Sequence, residues 1–141
     1  MNQSRKLLLA PVVALLVAAA GCGGGESDDF VEGYNAATRP LTELTAGLSS
    51  GQPTAESLDQ MADGLADAKT RLAALDAPDG AQDELDAMLA SIDESTADVR
   101  KMAKAVKSQD VQQLTQATQD FSAAGTELVQ AEEALRAAVE N

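Results

Sequence analysis

The side chains with the most chemistry to offer are one cysteine and a run of cations, because much of the usual catalytic repertoire is missing. The chain has no histidine, a single cysteine at position 22, one tyrosine and 23 carboxylates in 141 residues. Without histidine there is no imidazole base, no histidine-ligated haem and no ordinary zinc site. One cysteine closes no internal disulfide. Gly23, Gly24 and Gly25 precede no strand–helix unit and so form no phosphate loop. The stretch "DELD" (83–86) lacks the ligand order and the glycine of a calcium loop, and reads as acid complementing a helix dipole behind a cap at Asp79 with Gln82. Met61, Met88 and Met102 have no histidine or cysteine company for copper and read as adaptable core. Arg39 and Glu43 form an i,i+4 surface pair, and the Tyr34 hydroxyl is expected at the edge of a core. No catalytic residue, cofactor or metal site is expected, and the chain is read as a non-enzyme. Two features stand out: Cys22, and the basic run Arg100, Lys101, Lys104, Lys107.

The context of Cys22 assigns it a role. Arg5 and Lys6 open the chain, and an apolar run of 14 residues extends from Leu7 to Ala20. That run is shorter than the roughly 20 residues of a membrane-spanning helix and matches a signal-peptide core. The ending Ala19-Ala20-Gly21-Cys22 resembles the lipobox of bacterial lipoproteins. The resemblance implies that the cysteine thiol receives diacylglycerol, that signal peptidase II removes residues 1–21, and that the new α-amine is open to acylation. It places the mature chain on the extracytoplasmic face of the cell membrane, periplasmic in a bacterium with two membranes. Two or three acyl chains hold far more firmly than one, since each buried CH₂ contributes roughly 0.8 kcal/mol. Residues 22–29, "CGGGESDD", then read as the lipidated cysteine and a flexible acidic tether.

Beyond Cys22 the chain is strongly acidic. All 23 acidic residues follow it but only eight of the ten basic ones, so the formal net charge of −13 becomes −15. This disfavours nucleic acid, whose affinity comes from neutralised phosphates. With two phenylalanines, one tyrosine and no tryptophan, the core must be aliphatic.

Four segments carry apolar residues at alternating three- and four-residue spacing, which lays one stripe along a helix. The first is Phe30, Tyr34, Ala37, Leu41, Leu44, Leu48, and the second Leu58, Met61, Leu65, Ala68, Leu72, Leu75. The third is Leu85, Met88, Ile92, Ser95, Val99, Met102, Val106. Its one polar member, Ser95, is expected to bond a backbone carbonyl one turn back. In the fourth, bulky Leu114, Phe121, Leu128 and Leu135 alternate with Ala117, Ala124, Ala131 and Ala138. The small row permits close approach, and the bulky row is expected to fill the centre, so Leu72 and Leu128 count as equivalent core members. No segment alternates with period two, so no strand is expected.

The breakers "SSGQP" (49–53) and "DAPDG" (76–80) separate the first three stripes. The third junction has neither Gly nor Pro. Asp110 with Gln113 supplies a cap there, and Lys104 and Lys107 suit a helix C-terminus, so a break is expected near Ser108 rather than one helix over 81–140. Pro40 should kink the first helix without ending it. Short connections make successive helices antiparallel. The expected architecture is all-α, an up-down-up-down four-helix bundle over 30–141; the alternative is three helices with a loosely docked first segment.

Function is expected to be that of a lipid-anchored binding or structural module of the envelope. The alternative is a carrier holding a small apolar ligand between the helices, for which a cavity among Ala117, Ala124, Ser95 and the methionines would be needed. Expected partners are the membrane, through Cys22, and an envelope protein or anionic wall polymer. The latter would meet a basic tip of Arg100, Lys101, Lys104 and Lys107 pointing away from the membrane.

Overall fold

The structure, a computed structural model, describes residues 25–48 and 53–140. These form four helices: α1 Gly25–Leu48, α2 Ala55–Leu72, α3 Gln82–Ser108 and α4 Val111–Val139. No strand occurs among the described residues. α1 lies against α2, α2 against α3 and α3 against α4, and Tyr34 of α1 lies close enough to Glu132 of α4 for each to influence the other's ionisation. The all-α four-helix bundle is as expected, and the buried Phe30, Tyr34 and Ala37 seat α1 in the common core.

The helix ends show where local chemistry decides. α1 runs unbroken through Pro40. It also starts at Gly25, five residues before the expected Phe30, so 25–29 are helical rather than tether. Asp28 and Asp29 sit near this start, where the helix dipole favours negative charge. The breaker at 49–52 lies outside the described residues. Just after it, Thr54 caps α2: the Ser57 backbone N–H donates to Thr54 Oγ1 at 3.1 Å, and the Thr54 N–H donates to Ser57 Oγ at 2.9 Å. These reciprocal bonds satisfy two donors the helix leaves open.

The start of α3 departs from expectation. Asp79 is not its cap; Ala81 holds that position without a side-chain hydrogen bond. Gly80, at φ +85°, turns the chain in a conformation that disfavours residues with a Cβ. The turn drives Ala81 into the core at 0% exposure. Burial of Ala81 therefore sets this helix start, while Asp83 and Glu84 still complement the dipole in its first turn. The break after Ser108 falls as expected. Gln109 adopts left-handed φ 55°, the Asp110 N–H reaches back to the Ala105 carbonyl at 3.0 Å, and the Asp110 carboxylate accepts from the Gln113 N–H at 3.0 Å. Two residues reverse the chain because one closes α3 and the next opens α4.

Burial is uneven. On α2 the stripe from Leu58 to Leu72 is buried throughout, as is that of α3 from Leu85 to Met102. On α4 the fully buried members are Ala117, Ala124, Gly125 and Leu135. Leu114, Phe121 and Leu128 pack against the core only in part. Of the bulky row of α4, Leu135 is buried as expected, but Leu114, Phe121 and Leu128 do not fill the centre. α1 packs chiefly on α2, which leaves Leu114, Phe121 and Leu128 of α4 half covered. Gly64 lets α1 come close to α2: a Cβ there would stand 2.5 Å from a methyl of Leu44.

Candidate functional site

The basic run is the only cluster of cations after Cys22 in the sequence, and the fold divides it. Arg100, Lys104 and Lys107 recur at helical spacing on one face of α3. Arg100 pairs with Asp63 at 3.8 Å and Lys107 with Asp59 at 2.6 Å, both on α2. Further along the same seam Lys69 of α2 pairs with Asp93 of α3. Lys101 faces α4 instead. It pairs with Asp98 at 2.7 Å and feels Asp120 across the seam, and the bond to Asp98 raises its pKa. Lys104 has no ion pair among the described residues. The four residues thus do not form one free basic tip: three are engaged, two of them as rungs between α2 and α3. Such exposed pairs contribute roughly 0.2–1 kcal/mol each and fix the register of the two helices more than they stabilise them. A signal for this was present in the sequence. Asp59, Asp63 and Asp67 recur every four residues on α2, a stripe complementary to the cations of α3.

Next to Lys101 lies a cleft of about 410 Å³ between α3 and α4, lined by Glu94, Asp98, Asp120 and Glu127 beside Ala123 and Ala124. Asp98 is buried to 6% exposure, with Lys101 as its partner. A second groove, of about 450 Å³, lies between the start of α1 and the 73–81 loop. The first touches Ala124, but neither is lined by Ala117, Ser95 or the methionines, among which an apolar carrier would need its space. Ser95 is buried to 2%, and its Oγ has no hydrogen-bond partner. The expected bond to the preceding turn is therefore not made. The neighbouring Thr96 makes that kind of bond instead, to the Ile92 carbonyl at 2.7 Å. Met61, Met88 and Met102 are core residues. The "DELD" acids lie at the start of α3, with Asp86 accepting from the Gln82 amide at 2.9 Å. Among the described residues no group of three or more His, Cys, Asp or Glu is arranged to hold a metal ion.

Sequence reasoning missed the contact between Tyr34 and Glu132. Tyr34 is buried, not at an edge, and its phenol lies beside the Glu132 carboxylate of α4. Burial pushes the phenol far above its ordinary value, and the adjacent Glu132 charge pushes it further. Glu132 is itself raised, first by desolvation and then by Glu133, against the opposing influence of Tyr34 and Arg136. A pairing across nearly a hundred residues leaves no trace in local spacing. Glu84 also keeps one carboxylate oxygen, Oε2, buried without a hydrogen-bond partner.

Cys22 lies outside the described residues, as does the segment 1–21. No described helix is long and apolar enough to cross a membrane. No family model, no curated protein and no solved structure matches the chain.

Proposed function

We propose that this protein is a lipid-anchored, extracytoplasmic helical module of the bacterial envelope that works by binding rather than by catalysis. The observation that carries the reading is the N-terminal pattern: two cations, an apolar run of 14 residues, and the chain's single cysteine directly after Ala-Ala-Gly. α1 begins three residues after Cys22, so a rigid domain starts almost at the attachment point. In the antiparallel bundle the α1 start, the α2–α3 loop and the α4 end share the membrane-facing end. The opposite half, with Lys104 and Lys107, faces outward and is the part available to an envelope protein or an anionic wall polymer. The test is metabolic labelling with a tagged fatty acid. The wild-type protein should carry label and fractionate with membranes, whereas Cys22→Ala should lose the label and stay unprocessed or be released. Label retained by Cys22→Ala would refute the anchor.

A further inference from the structure

The membrane-facing end carries a groove of about 450 Å³ between the start of α1 and the α2–α3 loop. Phe30 forms a buried wall, Leu75 and Pro78 are half-buried, and Asp29, Asp76 and Asp79 are exposed around it. None of these three carboxylates has an ion pair among the described residues. The cations in the last turns of the helices that end here are all engaged: Lys69 with Asp93, Arg71 with Asp67 and Arg136 with Glu140. The groove therefore combines an apolar wall with an uncompensated negative rim.

Its position follows from the early start of α1. Three peptide steps separate Cys22 from Gly25, at most about 11 Å of chain. Asp29 stands four residues further along α1, about 6 Å by helical rise. The polar layer of one leaflet is itself roughly 5–8 Å deep. With Cys22 lipidated, the groove is held close to the headgroups, nearer than a flexible tether over 22–29 would hold it.

We propose that this groove seats the headgroup of an amine-bearing phospholipid of the anchoring membrane. The inference rests on the lipid-anchor reading of Cys22. In such a lipid the phosphate lies deeper and the ammonium outermost, so the cation meets Asp29, Asp76 and Asp79 first. An ammonium presents three donors and no acceptor, which suits three exposed carboxylates. The upper glycerol and acyl carbons then lie against Leu75 and Pro78. A lipid with an anionic, amine-free headgroup offers the rim no cation and is repelled.

The lipidated full-length mature protein is reconstituted in phosphatidylcholine vesicles containing either phosphatidylethanolamine or phosphatidylglycerol, floated, and treated with a water-soluble carbodiimide. The reagent joins a carboxylate to a primary amine as an amide, carrying off one oxygen as its urea. Peptide mass spectrometry then locates the lipid adducts. Adducts should concentrate on Asp29, Asp76 and Asp79, spare Asp59 and Asp63 in the distal half, and be absent with phosphatidylglycerol. A phosphatidylcholine arm with free phosphoethanolamine should label exposed carboxylates without that focus. In the double variant Asp76→Asn, Asp79→Asn, with helicity confirmed by circular dichroism, the Asp29 adduct should fall sharply. A floating protein whose adducts are absent or spread over all exposed carboxylates overturns the proposal, as does an undiminished Asp29 adduct in the double variant. A protein that fails to float overturns the anchor reading, and this one with it.

Discussion

The inner pair of helices and the outer pair are built from the same kind of sequence but not to the same depth. α2 and α3 each have a helix on either side, and their stripes are buried to under a tenth exposure from Leu58 to Leu72 and from Leu85 to Met102. α4 has α3 on one side and meets α1 with a polar contact, so Leu114, Phe121 and Leu128 remain half-buried. An apolar stripe states what a helix can bury. The number of neighbours decides how much of it is buried, and hence how much it stabilises.

The largest expected effect separates the two pairs directly. Leu72 is fully buried, and Leu72→Asp places an unpaired charge in the core; it should cost about 4 kcal/mol or more, enough to unfold a marginal domain. Leu128→Asp should cost on the order of 1–2 kcal/mol, because water still reaches that position. Urea unfolding followed by circular dichroism measures both. Equal losses would show that the outer seam is as closed as the inner one.

A middle-sized effect concerns the α1–α4 contact. Tyr34→Phe removes the hydroxyl beside the half-buried Glu132 and should destabilise by about 1 kcal/mol. The pH dependence has a definite sign. The Glu132 carboxyl is raised above its ordinary value in the folded state, chiefly by burial. Its contribution to stability is thus fully present below pH 4.5, the ordinary value, and is lost as the pH rises through the raised folded value. Thermal midpoints should climb as the pH falls toward 4.5. The net charge of −15 beyond Cys22 acts in the same direction through self-repulsion, so the informative quantity is the difference between proteins: Glu132→Gln should show a shallower climb. An identical pH profile in Glu132→Gln would exclude Glu132 as a contributor.

The smallest effect lies back in the inner pair. Ser95→Ala removes a buried hydroxyl that has no partner, and should be neutral or stabilising by up to about 1 kcal/mol. A marked loss on calorimetry would mean that the hydroxyl has a partner after all.

Particular residues show what could be read from the chain. Helix number and the turn at Ser108–Asp110 were legible because stripe spacing and the Asp110–Gln113 cap are local properties. The start of α3 is not legible from polar capping at Asp79, because the burial of Ala81 that sets it depends on tertiary packing. The Thr54–Ser57 box was local and went unread because a serine took the place of the usual Glu or Gln. The basic run looked like a tip because sequence shows which charges are adjacent, while the aspartates that meet Arg100 and Lys107 come from another helix. Tyr34 and Glu132 could not be paired before the topology was known.

The central claim is that the bundle stands on a lipid carried by Cys22, and intact-mass and N-terminal peptide mass spectrometry of the protein purified from membranes test it most directly. The account predicts a mature chain that begins at Cys22, lacks residues 1–21 and carries diacylglycerol on the cysteine sulfur. A mature chain that begins at another residue, or a Cys22 with a free thiol, would contradict it.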